Sequence, residues 1–398
     1  EQRDIVVRGQ LKFEPSDRFR AVLGVFFNDS RQNGTPYVFD EFDMRPGIEP
    51  APGFAGMQGN YADWINDAFK LAGQAPLAAY NDPRIVKGRY TAPDLCFMDD
   101  FNPDYDAACN QYSNDEYWQG DLNMSFDLND SVSVSSVSGY AKLKHRGVSD
   151  YQVLGTETRT ENVDSKVFYQ ELQLNASLGK AFDLVVGANY FREKAESPNF
   201  VLTRRGTSVY PAAANGNGDA GLFRTADIFI RQIADSWGVF ASGTWHIVDG
   251  LNLTGGLRQA WDKKSYRQTR NAASDLTVAP GTTSTTVSTK GKFDALDYRA
   301  TLDYHFTDDA MIYATVSKAY KAGQFSYTIA GWTAANNATG AAQSAGIRPI
   351  PNEKVVNYEA GLRLTLFDNR LRLNPTAFIM DYTNRQAAVQ VTCASLGI

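Results

Sequence analysis

Few residues of this sequence have the types and spacing that catalysis or metal binding requires. The three histidines are His145, His246 and His305, which are far apart and stand in no metal-ligand or nucleophile motif. The aspartates within residues 99–106 carry the oxygen atoms that calcium prefers, but their spacing differs from that of the usual calcium-binding loop. We therefore assign no catalytic residue, no metal ligand and no cofactor, and we predict that the protein is not an enzyme.

Two of the three cysteines lie close together in one polar, aromatic stretch of the chain. Cys96 and Cys109 could close this stretch as a loop disulfide in an oxidising compartment. A metal site is the alternative, although no second pair of cysteines or histidines lies nearby. Cys393 has no evident partner in the sequence.

Net charge and hydropathy narrow the class of protein. The sequence has 39 Lys and Arg against 45 Asp and Glu, a formal charge of -6, so it does not indicate the basic surface that nucleic-acid binding needs. No segment approaches the roughly 18 to 20 apolar residues of a membrane-spanning helix. A membrane β-strand needs only about 10 residues with apolar side chains at alternate positions, so it remains compatible with the sequence.

Alternation of apolar and polar residues is the dominant pattern, and it recurs about a dozen times. In residues 298–306 the even positions hold Tyr, Ala, Leu, Tyr and Phe, whereas Asp303 and His305 are among the odd positions. Residues 358–366 repeat this division. One face of such a strand suits lipid and the other suits water. Aromatic residues near the ends of these segments suit the membrane interface, where a ring is half buried and its polar tip stays hydrated.

The connections between these strands alternate in length. Short turns are built from tight-turn residues, and long polar loops separate the hairpins. A soluble β-sandwich has no reason to keep all its short turns at one end. We therefore predict an all-β fold, an antiparallel up-and-down transmembrane β-barrel with short periplasmic turns and long extracellular loops. The short turns are residues 16–18, 128–130, 179–181, 248–250, 307–309 and 368–370, and the long loops span about 28–116, 145–165, 194–230, 264–292 and 324–352.

Charged residues at the polar positions of these strands would be costly in lipid, so they must face water or protein in the lumen. A role in ligand contact is one interpretation, and a plain polar wall is the other. The luminal candidates are Glu171, Arg258, Asp297, Arg299, Asp303, Glu359 and Arg363. Aromatic loop residues are candidates for ligand contact from outside, namely Tyr37, Phe39, Phe42, Tyr61 and Trp332. Trp64, Phe69 and Leu71 have helical spacing and predict a short helix in the longest loop.

Several motifs, taken in order, resemble the barrel of TonB-dependent outer-membrane receptors. Residues 352–362 (NEKVVNYEAGL) are followed by residues 366–374 (LFDNRLRLN) and 378–382 (FIMDY). Residues 313–323 (YATVSKAYKAG) and the weaker 170–174 (QELQL) agree with them. The resemblance covers nearly all of the predicted strands.

The resemblance implies a barrel of about 22 strands, of which about 12 are predicted here, with a separate plug domain in the lumen. It also implies uptake of a scarce ligand, such as a siderophore-iron chelate or another large nutrient, across the bacterial cell outer membrane. The implied partners are the lipid bilayer with its lipopolysaccharide, the protein's own plug domain, the TonB inner-membrane energising complex, and a small-molecule or metal-chelate ligand. The luminal charges are then expected to meet the plug.

The sequence departs from the family pattern in several places. We find no plug domain, no TonB-contact segment and no signal peptide, and the chain ends at Ile398 without a terminal aromatic strand. We therefore expect residues 1–398 to be the central part of one barrel domain. Gln324 replaces a glycine that the family usually repeats, and Pro375 removes a hydrogen-bond donor from a strand and predicts an irregularity there.

Two other functions remain open from the sequence. A passive porin-like channel would need neither a plug nor energy coupling. A surface-exposed structural or adhesive barrel would use its long loops to bind a partner protein.

Overall fold

The computed structural model describes residues 2–33, 75, 112–150, 157–205, 221–272, 284–325, 347 and 349–387. The regular elements of these residues are all β-strands, and none of the described residues forms a helix long and apolar enough to cross a membrane. The strands are β1 (Gln2–Ser16), β2 (Phe19–Asn33), β3 (Tyr112–Asn129), β4 (Val132–Asp150), β5 (Glu157–Thr160), β6 (Val163–Leu178), β7 (Phe182–Arg205), β8 (Gly221–Val248), β9 (Leu251–Ala272), β10 (Ser284–Thr307), β11 (Ala310–Lys321), β12 (Gln324–Phe325), β13 (Pro349–Ile350), β14 (Glu353–Leu366), β15 (Leu371–Leu373) and β16 (Thr376–Thr383).

Fourteen of these strands form one antiparallel sheet in which chain neighbours are sheet neighbours. β5 and β6 share one position between β4 and β7, and β15 and β16 share one position beside β14. The described sheet is therefore twelve positions wide, which confirms the predicted up-and-down barrel wall and its approximate strand count. Pro375 lies between β15 and β16, so the predicted irregularity is confirmed.

The alternation of side chains gives the sheet two different faces. Val186, Val239, Leu257 and Leu302 are each at least 41% exposed although they are apolar. We call the face that carries them the outer face and the opposite, polar face the inner face. Large exposed apolar residues in the middle of strands are the expected arrangement for a surface that meets hydrocarbon.

Aromatic residues mark the two edges of the apolar part of the outer face. Phe182 and Tyr190 are eight positions apart on β7, and Trp237 and Trp245 are eight apart on β8. Eight steps along a strand cover about 27 Å, which a tilted strand needs to cross an apolar band. Tyr190 lies against Trp237, with ring centroids 5.2 Å apart. Residues 19–27, 118–126, 182–190, 237–245 and 298–306 all begin and end on an aromatic residue and are the membrane-spanning segments.

Three polar side chains on the outer face form hydrogen bonds with one another. Ser138 Oγ donates to Gln170 Oε1 at 2.6 Å, and Gln170 Nε2 donates to Ser136 Oγ at 2.9 Å. Because hydrocarbon offers no hydrogen-bond partners, this mutual pairing reduces the cost of three polar side chains at the membrane surface.

Tight turns join the hairpins at the end of the sheet that we assign to the periplasm. The six segments predicted as short turns all connect successive antiparallel strands in the structure. Gly250 has a φ of 77°, and a Cβ there would lie 2.6 Å from the carbonyl oxygen of His305. This turn therefore requires glycine for both its backbone conformation and its space.

The strands are longer than the sequence analysis predicted, and the loops are correspondingly shorter. Residues 28–33 belong to β2 and residues 112–116 to β3, so both ends of the predicted loop 28–116 are strand. The loops predicted at 145–165, 194–230, 264–292 and 324–352 likewise lose residues to β4–β6, β7–β8, β9–β10 and β12–β13. Backbone pairing continues beyond the bilayer, where both faces meet water and the alternation that marks a strand disappears.

A short segment covers the inner face near the loop end of the sheet. We define the strap as residues 322–325 and 349–352, which include the β12–β13 pair, together with Ile347. Phe325 is 1% exposed and contacts Tyr266 of β9 and Phe293 of β10, with ring centroids 6.0 and 6.3 Å away. The buried apolar cluster of the described residues lies here, between strap and wall.

Candidate functional site

The inner face carries all seven charged residues that the sequence suggested for the lumen. Each lies at a position that alternates with exposed apolar residues of the outer face, as Arg258 does with Leu257. The structure brings them into three groups, and whether they contact a plug or a ligand stays a prediction.

The first group lies on β6 to β10. Arg258 of β9 is directly opposite Asp297 of β10, with Arg258 Nη1 3.9 Å from Asp297 Oδ2. The backbone of Gly238 lies beneath the guanidinium, since a Cβ there would be 3.0 Å from Arg258 Nη2 and 2.5 Å from Asn189 Oδ1. Asp297 Oδ1 is buried and has no hydrogen-bond partner among the described residues. On β6, Glu171 accepts hydrogen bonds from Tyr169 and Gln173.

The second group lies on β11 and β14. The hydroxyl of Tyr313 donates to Glu359 Oε1 at 2.7 Å, and the guanidinium of Arg363 lies 5.5 Å from the centre of the Tyr313 ring. Tyr313 is directly opposite Gly361, where a Cβ would come within 2.8 Å of the ring. The tyrosine therefore lies flat across the glycine and holds both charged side chains at the wall.

The third group lies near the turn end. Asn252 Nδ2 donates to Asp303 Oδ2 at 2.8 Å, and His305 Nε2 is 3.3 Å from the same oxygen. Arg299 lies farther from the turn on β10, where its Nε donates to Thr301 Oγ1 at 3.2 Å. Asn252, Asp303 and His305 thus form a small polar cluster on the inner face.

Polar contacts fix the strap to the wall above the membrane-spanning segments. Lys264 Nζ donates to the carbonyl of Gly323 at 2.8 Å, and Asn352 Oδ1 accepts from the amide of Gly323 at 2.8 Å. Burial lowers the pKa of Lys264. Tyr320, which leads into the strap, donates its hydroxyl to Asp262 at 2.6 Å. Burial and the bond to this carboxylate raise the pKa of Tyr320, so the hydroxyl remains a donor at neutral pH.

Several inner-face residues were not predicted from the sequence. Phe240 lies at an inner position, opposite Gly187, where a Cβ would be 2.4 Å from its ring. An aromatic residue at a polar position of an alternating strand was the available signal for Phe240 and Tyr313. No such alternation marks Lys264, Asp262 or the strap in the sequence, because these residues lie beyond the apolar band.

Other predicted sites cannot be placed. Three sets of predicted features lie outside the described residues. These are the loop aromatics Tyr37, Phe39, Phe42, Tyr61 and Trp332, the predicted helix near Trp64, and the cysteines Cys96, Cys109 and Cys393. Within the part of the chain that the structure describes, no group of three or more His, Cys, Asp or Glu could hold a metal ion.

An antiparallel wall with an apolar outer face, aromatic borders and a charged inner face defines a transmembrane β-barrel with an aqueous lumen. The family model for the TonB-dependent receptor-like β-barrel matches residues 52–396. The chain belongs to this family. A search of curated proteins found no match.

Solved receptor structures have the same fold. The ferric yersiniabactin uptake receptor FyuA from Yersinia pestis matches with a TM-score of 0.62 and 15% identity, covering 97% of this chain and 46% of the receptor. The ferric-catecholate import receptor Fiu from E. coli K12 matches at 0.58 and 14%, covering 96% and 52%. The siderophore receptor PiuA from Acinetobacter baumannii matches at 0.53 and 17%, covering 95% and 49%. The chain thus spans about half the length of these receptors.

Proposed function

We propose that this chain forms part of the barrel wall of an outer-membrane receptor that imports a scarce ligand with energy delivered by TonB. The single observation that carries the proposal is the sorting of side chains, with exposed apolar residues outside and charged residues inside, in a chain of this family. The protein would act as receptor and transporter and would catalyse no reaction.

The charged groups of the inner face support a second domain in the lumen. Asp297 Oδ1 is buried without a donor from the described residues, and Arg258 approaches the carboxylate only at 3.9 Å. A buried carboxylate oxygen without a donor is costly, so a donor supplied by a plug domain would complete this group. The same argument favours a plugged barrel over an open, passive channel.

A metal chelate is the ligand class that we favour. Two solved receptors with the same fold are the ferric yersiniabactin uptake receptor and a ferric-catecholate import receptor. At 15% identity or less this likeness concerns the fold alone, and the uptake experiment below compares different chelates.

Uptake in cells tests the proposal. The full-length gene is expressed in a Gram-negative strain lacking its own iron receptors, and accumulation of ⁵⁵Fe is measured with citrate, catecholate and hydroxamate chelates. We expect the gene to restore uptake of at least one chelate, and deletion of tonB to abolish that uptake. Uptake that persists without tonB would support a passive channel. Absence of uptake together with attachment to other cells or proteins would support an adhesive barrel.

A further inference from the structure

A row of polar side chains crosses the inner face just above the periplasmic turns. His246 of β8 is directly opposite Asn252 of β9, and Asn252 is directly opposite Asp303 of β10. Asp183 of β7 extends the row on the other side, because His246 Nε2 lies 3.0 Å from Asp183 Oδ2. We call these four residues the rim network. It connects four adjacent strands and has a carboxylate at each end.

The amide group of Asn252 has one orientation that suits both of its neighbours. Asn252 Nδ2 donates to Asp303 Oδ2 at 2.8 Å, and Asn252 Oδ1 therefore faces His246 Nδ1, at 2.7 Å. The reversed amide would place its oxygen against a carboxylate oxygen, and neither atom can donate a hydrogen bond. Asp303 thus holds an acceptor in front of the His246 ring.

Both ring nitrogens of His246 face acceptors. A neutral imidazole has one N–H and one lone pair, so it can donate to Asp183 or to Asn252 but not to both. The remaining lone pair would then point at an oxygen within 3.0 Å. Imidazolium donates from both nitrogens. The geometry of the rim network therefore fits the protonated ring.

The surroundings of His246 favour the same charged form. His246 lies one residue beyond the membrane-spanning segment 237–245. The hydrogen bonds to Asp183 and Asn252 raise the pKa of His246, desolvation opposes them, and the negative charges of Asp183 and Asp303 raise it further. Ser177 of β6 donates to Asp183 Oδ1 at 2.7 Å, which helps to hold this carboxylate in place.

Other charged residues near the rim network lie at its edges. His305 Nε2 is 3.3 Å from Asp303 Oδ2, on the side of Asp303 away from β8. Lys180 and Asp249 belong to the turns that precede β7 and follow β8. His246 is the member of the rim network whose ring lies between the two carboxylates.

We propose that His246 is a proton-binding site that locks β7, β8, β9 and β10 together at the periplasmic mouth of the lumen. With its proton, the ring donates to both neighbours and connects the two carboxylates. Without it, one ring contact is lost and the mouth becomes more negative by one charge. Because the pKa of His246 is raised in the folded wall, the lock is complete below the ordinary value of 6.5 and opens as the pH rises through the folded-state value.

Histidine titration in the full-length protein tests the charge on the ring. Protein labelled with ¹³C at the histidine Cε1 is titrated in detergent from pH 5 to pH 10, and the His246 signal is identified by its absence from H246Q. We expect this signal to titrate above 6.5 and D183N to move it towards 6.5. The control D249N removes an exposed turn carboxylate on the same strand connection and should shift the titration much less.

Hydrogen exchange of residues 245–252 tests the lock itself. Exchange is followed at pH 6 and pH 9 and corrected for the intrinsic pH dependence of amide exchange. In the wild type, protection at high pH should fall by roughly ten-fold for each unit by which the measured pKa exceeds 6.5. H246Q should show the same protection at both pH values. H145Q, which replaces the histidine at the opposite end of the lumen, should keep the wild-type fall.

Four results would overturn the proposal. These are titration of His246 at or below 6.5, equal shifts in D183N and D249N, wild-type protection that does not change with pH, and a pH-dependent fall that persists in H246Q. The inference rests on the proposed function only in that it places this end of the barrel in the periplasm. Neither measurement uses a chelate or TonB, so a failure of the lock is observed separately from a failure of the proposed import.

Discussion

Asp262 of β9 is only 6% exposed, and the hydroxyl of Tyr320 is its hydrogen-bond donor at 2.6 Å. This contact joins the strand that enters the strap to the wall at a level beyond the bilayer. A buried carboxylate that loses its donor keeps its desolvation cost, so the pair matters more than an exposed ion pair of the same length.

We expect Tyr320→Phe to lower the free energy of unfolding of the full-length protein by about 1–3 kcal/mol, because Asp262 is left buried without this donor. The raised pKa of Tyr320 means that its contribution is fully present below its ordinary pKa of 10.0 and is lost as the pH rises towards the folded-state value. Unfolding in detergent, followed by heat-modifiability on gels from pH 7 to 11, measures the difference.

Tyr304→Phe is the matched control for Tyr320→Phe. Tyr304 lies on the outer face, is 42% exposed and should contribute less than about 0.5 kcal/mol through its hydroxyl. Equal stability of both variants, or a Tyr320→Phe effect that grows above pH 10, would show that the contact with Asp262 does not stabilise the strap.

At the scale of a single strand, β10 shows how adjacent residues meet different solvents. Leu302 is 47% exposed on the outer face, midway between Tyr298 and Phe306. Its neighbour Thr301 points inward, where its hydroxyl lies 2.9 Å from that of Thr315. Because the side-chain period of a strand is two, one residue separates hydrocarbon from the lumen.

Leu302→Arg should therefore destabilise the full-length barrel by about 2–4 kcal/mol, since it places a charge at the centre of the lipid-facing band. Thr301→Arg carries the same new side chain into the lumen and should cost at most about 1 kcal/mol for the lost hydroxyl contact. Urea titrations of folding into phosphatidylcholine vesicles compare the two. A reversed order of stability would mean that the two faces have been assigned incorrectly.

Across the whole molecule, the described sheet has two ends that no other described strand covers. β1 pairs only with β2, and β16 pairs only with β14. Nearly all residues of β1 and all residues of β16 are exposed. Bare strand edges carry unpaired backbone groups, which hydrocarbon does not tolerate.

We accordingly expect residues 1–398, expressed alone, not to insert as a stable barrel, whereas the full-length protein does. Gel mobility with and without heating, in detergent and in isolated outer membranes, distinguishes folded from unfolded protein. A stable, heat-modifiable monomer of residues 1–398 would refute this expectation and would require another way of pairing the two edges.

The sequence alone determined the features that depend on local alternation and turn chemistry. Residues 298–306 predicted a membrane-spanning strand with Leu302 outside, and the segment 248–250 predicted a tight turn that Gly250 makes possible. These features can be predicted because successive side chains of a strand alternate between hydrocarbon and water. Tight turns, in addition, accept only a few residue types.

Only the tertiary structure decided where the strands end and what meets on the inner face. Residues 28–33 and 112–116 pair as strands although their polarity predicted a loop, since backbone hydrogen bonds do not depend on side-chain polarity. The packing of Phe325 on Tyr266 and the bond from Lys264 to Gly323 join segments about 60 residues apart in the chain. Such contacts follow from register across several strands, which no local pattern of residues encodes.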